Sequence, residues 1–205
     1  MRTLGILLNL ACGGALLPED AGRARRIQLI AGALLMSLVF SALWGAAAGS
    51  TSVALAVGNL YRVPMVILCS ALCAVPAGLL SWRLSGAHMR GTDLILAFVT
   101  AILSATMVMA VCAPLIALYY HTSAWAGPVL GMGSSFLALA LGAVIFVRGV
   151  NLRVPAGASW IGARVPSVVI LLFVTAALVQ FITIASPILP EVTVFDGGVD
   201  RILSQ

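Results

Sequence analysis

LILAFVTAILSATMVMAVCAPLIALYYHTSAW, residues 94–125, contains no acidic residue, no lysine and no arginine, and its polar aromatic cluster arrives only at the end. Read as a helix, the apolar part up to Tyr120 is about 40 Å long at 1.5 Å per residue, longer than the roughly 30 Å hydrocarbon core of a bilayer. A water-soluble domain of this size has nowhere to bury such an element. It is therefore expected to cross a membrane with tilt, bend or protrusion, and Pro114 offers the bend. In that frame YYHTSAW is a membrane exit, with aromatic anchors and a short polar turn before Pro128.

The rest of the chain agrees. Its 205 residues are 62% hydrophobic and 8% charged, against about 25% charged residues in ordinary soluble domains. Residues 27–61, 63–82, 94–147 and 165–190 contain no formal charge. They predict an all-α, polytopic integral membrane helix bundle with five transmembrane helices, at about 27–48, 63–82, 94–120, 128–147 and 165–186. Residues 27–186 then form the transmembrane domain and 187–205 a tail. The N-terminal segment 1–26 has one arginine before its apolar run and a lipoprotein-like Leu10-Ala11-Cys12. Asn9 interrupts that pattern, so the segment reads as retained, and about 14 apolar residues are too few to span. It is expected to lie in the interface or to re-enter the membrane.

All eleven basic residues are arginine and the net charge is +5. Their position in short loops beside apolar spans points to topology and lipid headgroups, with no role for nucleic acid. With the N-terminus inside, Arg2, Arg23, Arg25, Arg26, Arg83, Arg90, Arg148, Arg153 and Arg164 fall on the inner side, and only Arg62 and Arg201 outside. The expected orientation is N-terminus in and C-terminus out, in a bacterial cytoplasmic (inner) membrane. Trp44, Tyr61, Tyr119, Tyr120 and Trp125 are expected as outer interfacial anchors, with Trp82 and Trp160 at the inner side.

No Asp, Glu, Lys, Arg or His lies near the centre of a span, which argues against an ion-driven transporter or a proton relay. Gln180 is the most polar side chain at depth, and an interhelical hydrogen bond accounts for it. His88 and His121 fall on opposite sides, so they cannot jointly ligate a haem. A single-ligand haem or pigment site at His121 stays open, as does a quinone cavity, and bound lipid is expected. Cys12, Cys69, Cys73 and Cys112 form no framework and read as small buried apolar residues. No catalytic constellation can be assembled, and FDGGVD in the tail reads as a turn, so the chain is not expected to be an enzyme.

Small residues recur at helix-packing intervals: Gly45 and Gly49; Ser70, Ala74 and Gly78; Ala97, Ala101 and Ala105; Ser134, Ala138 and Gly142. They let helix backbones approach closely. Pro76 and Pro114 sit inside spans as expected kinks, freeing the carbonyls of Leu72 and Ala110.

The run YRVPMVILCSALCAVPAGLL followed by AFVTAILSATMVMAVCAPLIALYYHTS resembles the bacterial branch of the Yip (Ypt-interacting protein) superfamily, small five-span proteins without known catalysis. The likeness rests on Arg62 and Pro64 opening the second span, Pro76 interrupting it, Ala113-Pro114 near the end of the third, and the Thr122-Ser123 turn. It covers roughly residues 27–190. Arginine stands where that family usually has lysine, and AGLLSW where aromatic residues are usual. The resemblance implies a membrane-organising or assembly role and supplies no site.

Two functions follow as expectations. The first is a non-catalytic structural or accessory subunit that packs against other integral membrane proteins, of respiratory, photosynthetic or motor type, using the small-residue stripes and the outer tail. The second is a small transporter or channel for an uncharged or lipid-like solute, with a cavity lined by Ser70, Ser104, Thr106 and Gln180.

Overall fold

A computed structural model describes residues 2–12, 22–86, 89–123, 125–154 and 160–189. Regular structure among them is helical throughout: α1 (Arg2–Ala11), α2 (Arg23–Ala48), α3 (Val53–Leu84), α4 (Gly91–Thr122), α5 (Ala126–Asn151) and α6 (Trp160–Ala185). Five of these, α2 to α6, are long and apolar enough to cross a membrane. The protein is an all-α integral membrane protein. His88, the side chain of Trp160 and the outer tail from Pro190 onward lie outside the described residues.

α3, α4 and α5 exceed the predicted spans at both ends, and α2 and α6 exceed theirs at the N-terminal end. α2 starts at Arg23, so residues grouped with the N-terminal segment belong to the first spanning helix. α3 starts at Val53, because the α2–α3 connection is a tight turn. A Cβ on Gly49 would stand 2.7 Å from the Ala56 nitrogen, so only glycine lets the two backbones pass this closely.

α4 is the centre of the bundle. It packs against α2 on one side and α5 on the other, α3 lies against α2, and α6 rests mainly on α3. Of the most apolar window of α4, 61% is buried inside the protein; for α6 the figure is 11%. One core cluster joins Ala71 and Ala74 of α3, Ala97, Phe98 and Ala101 of α4, Phe146 and Val150 of α5, and Ile170 of α6. Within it Phe98 and Phe146 meet edge to face, with ring centroids 5.6 Å apart.

The small-residue stripes hold these helices together. Among their members only Ala105 is partly exposed and the rest are buried. A Cβ on Gly142 would touch the Ala105 Cβ at 3.2 Å and the Ala101 carbonyl at 3.4 Å, so α4 and α5 meet stripe to stripe. Gly45 abuts the Asn59 carbonyl of α3, and a Cβ on Gly78 would collide with Ile170 of α6. In lipid no hydrophobic force brings helices together, so contact depends on close van der Waals approach of this kind. The stripes are therefore occupied by the chain's own helices and are not free for a partner, contrary to the use expected from sequence.

α1 is not peripheral. Leu7 and Ala11 pack with Leu29 and Ala33 of α2 and Leu96, Val99 and Leu103 of α4. The Ser104 hydroxyl donates to the Ala11 carbonyl at 2.7 Å, satisfying one of the acceptors that a helix end leaves open. Ser104 lies eleven residues beyond Asp93, about 16 Å along α4.

Candidate functional site at the mouth of the bundle

The two ends of the bundle carry different polar chemistry. At the arginine-rich end, expected from sequence to be the inner one, Arg26 forms an ion pair with Asp93, the carboxylate in the first turn of α4. Arg26 sits in the first turn of α2, where the helix dipole disfavours a cation, and Asp93 sits where the α4 dipole favours an anion. The pair offsets the first effect and exploits the second. Arg153, just past α5, donates to the Gly149 carbonyl at 2.7 Å. Burial pushes its guanidinium pKa down, Asp93 acts to raise it, and Arg26 lowers it further. It still carries its charge at neutral pH.

The opposite end is held by hydrogen bonds without an ion pair among the described residues. Trp44 Nε1 donates to Ser134 Oγ at 3.0 Å, tying α2 to α5, and Ser134 Oγ donates to the Gly131 carbonyl at 2.9 Å. Asn59, which is fully buried, donates Nδ2 to the Ile188 carbonyl at 2.6 Å. Arg62 donates to the Pro187 carbonyl at 3.0 Å. The segment after α6 thus folds back as a strap, and Ile188 and Leu189 pack against the cluster of Trp44, Val63 and Ile116. Beneath the strap, the Tyr120 hydroxyl lies against Gly131, where a Cβ would stand 3.2 Å from it.

Among the described residues three buried polar atoms at this end, Ser50 Oγ in the α2–α3 turn, Asn59 Oδ1 and the Tyr120 hydroxyl, have no hydrogen-bond partner. Asn59 Oδ1 is an acceptor and the two hydroxyls can donate, which suits small neutral polar groups. Each unsatisfied group costs about 1–3 kcal/mol. The described cluster contains no carboxylate or histidine to act as a base, and its one thiol, Cys112, has no basic or acidic side chain of the cluster beside it. What the arrangement can do is clasp a chain segment.

Several sequence expectations change here. Trp44 is 4% exposed. It is an internal hydrogen-bond donor, not a lipid-facing anchor, because Ser134 accepts its indole N–H. Tyr120 turns into the mouth beside Gly131 and Leu189, so it too is no simple anchor. Tyr119 and Trp125 are exposed at helix ends, and Tyr61 is exposed two turns inside α3. His121 is exposed in the last turn of α4, so the bundle does not enclose it as a cofactor ligand. Cys12 and Cys73 are exposed on the outside of the bundle, contrary to the expectation of burial. α3 runs through Pro76 and α4 through Pro114, and both prolines face outward.

The expected pathway lining is not assembled. Ser70 bonds the Val66 carbonyl, Thr106 bonds Ile102 and Leu103, Ser104 bonds Thr100 and Ala11, and Gln180 faces outward. Backbone carbonyls one turn back take up these hydroxyls, the usual fate of Ser and Thr inside helices. Asn59 and Arg62 were missed because the second span was started too late. Asn59, Val63, Val66 and Ser70 recur at helical spacing, so a longer α3 would have placed the amide on the buried face.

No protein-family profile, curated protein or solved structure matches the chain.

Proposed function

We propose that the protein is a non-catalytic accessory subunit of a larger membrane complex, seated against another integral membrane protein through the outward face of α6. The observation that carries this reading is Gln180. Its side chain is exposed on the least buried spanning helix, among Val179, Ile182 and Ile184, which are also exposed. An amide facing hydrocarbon is costly unless hydrogen-bonded, and a polar side chain on a neighbouring transmembrane helix is the usual partner. The interhelical bond expected from sequence is then made between chains. The Yip-like motifs support the same assembly role, and the helix order supports an inner-membrane orientation: Arg83, Arg90, Arg148 and Arg153 share one end of the bundle, opposite Arg62. The depth of Ala11 beside Ser104 favours a re-entrant α1 over an interfacial one.

The transporter reading has lost its lining, since the hydroxyls are bonded to backbone and Gln180 points away from the bundle. A photo-crosslinker at position 180 in native membranes tests the proposal. The expected outcome is one dominant adduct with another membrane protein, identified by mass, and loss of its co-purification in Gln180→Leu. Adducts with lipid alone would overturn it.

A further inference from the structure

We propose that the inner end of α5 binds a membrane phospholipid with an anionic headgroup. Ala143, Val144 and Val147 border a shallow, open trough of about 520 Å³ that ends at Arg148, Asn151 and Leu152. These residues recur at the spacing of one helix face over two turns, so the trough runs along α5 with that face as its single wall. Its exposed wall is almost entirely apolar until the guanidinium and amide at one end.

The depth of the trough matches a lipid of the inner leaflet. Gly149, next to Arg148, rests against Ala97, one turn along α4 from Asp93. Arg148 therefore leaves α5 close to the level of the Arg26–Asp93 ion pair, with Val144 and Ala143 one turn deeper. A phospholipid has the same order of chemistry: an acyl chain toward the midplane and a phosphate at the surface.

Charge decides which lipid. The Arg148 side chain is exposed and makes no hydrogen bond or ion pair among the described residues. Asp93 is the only acidic residue between Gly22 and Leu189, and Arg26 engages it. A guanidinium fork matches phosphate bidentately, and the Asn151 amide adds a further donor beside it. Anionic lipids of the cytoplasmic leaflet are the anions within reach.

The test is native mass spectrometry of the detergent-purified full chain titrated with dioleoyl phosphatidylglycerol or dioleoyl phosphatidylcholine. Wild-type protein should bind phosphatidylglycerol at least several-fold more tightly. Arg148→Gln should weaken that binding about tenfold, and Val144→Trp, which fills the trough and keeps the charge, should weaken both lipids. Arg83→Gln, at another exposed arginine of the inner end, should stay within about twofold of wild type. Equal weakening by Arg83→Gln would mean diffuse attraction to a basic face and would overturn the site. So would unchanged binding in Arg148→Gln, and displacement of the lipid by millimolar glycerol phosphate would reveal a headgroup-only anion site instead.

Discussion

α4 and α6 are the two most apolar spans of the chain, yet 61% of one and only 11% of the other is buried by protein. Hydropathy thus says that a helix crosses a bilayer and says nothing about which neighbours it meets. A distinguishing signal is the stripe of small and hydroxyl-bearing residues on α4, beside which large side chains such as Leu94, Leu96, Leu103 and Ile116 are also buried. α4 presents Ala97, Thr100, Ala101, Ser104 and Ala105, where helices can close in and hydroxyls return to backbone carbonyls. α6 carries Leu172, Phe173, Val179, Ile182 and Ile184 outward and buries little beyond Pro166, Ser167, Ile170 and Val174. Lipid solvates the large side chains as well as protein would, so nothing draws them inward.

That contrast can be attacked most strongly at the arginine-rich end of α4. Asp93→Ala removes the ion pair to the Arg26 side chain, which is 7% exposed, and the expected loss is about 3 kcal/mol. Denaturant unfolding in detergent measures it, and an unchanged midpoint would show that this end of α4 is not locked. Next come insertions of bulk. Gly45→Leu and Ala101→Leu force a side chain into backbone contacts and should each cost about 1–3 kcal/mol, whereas Val179→Leu on the open face of α6 should stay within about 0.5 kcal/mol. Equal effects at all three sites would erase the distinction between central and peripheral helices.

A smaller effect belongs to the strap. Asn59→Ala strands the Ile188 carbonyl and should cost about 1–2 kcal/mol. Limited proteolysis from the outer side should then cut near residues 186–189 faster, and unchanged protection would mean that Ile188 and Leu189 hold the strap by packing alone. The smallest change in chain stability is expected at Gln180→Leu, within about 0.5 kcal/mol. Its effect should appear only in association, so a destabilised isolated chain would place Gln180 inside the bundle and contradict the peripheral reading of α6.

Much of the architecture was legible in the residues. Charge-free runs located all five spans because a bilayer imposes a length and forbids charge, a constraint more stringent than any soluble core provides. The ends were less legible. Asn59 and Arg62 looked like loop residues because polar side chains mark span limits, and only α3's buried spacing reveals that the helix continues past them. Trp44 reads as an anchor at any helix end, and its inward turn depends on Ser134, ninety residues away in sequence. Pairings at that separation leave no local trace. The stripes were visible, but which stripe met which was set by topology, with Gly142 against Ala101 and Ala105, and Gly78 against Ile170.

The seat of α1 also imposes a sequence of events in time. α1 docks on α2 and α4, and the hydroxyl that receives its last carbonyl lies 93 residues further along the chain. At roughly 5–20 residues per second, a ribosome needs about 5–20 s to supply that residue after α1 has been made. Throughout that interval Leu7 and Ala11 have only the Leu29–Ala33 face of α2 to cover them, and the α4 side of α1 waits on lipid or on the insertion machinery. An element early in the chain is thereby one of the later pieces to be seated.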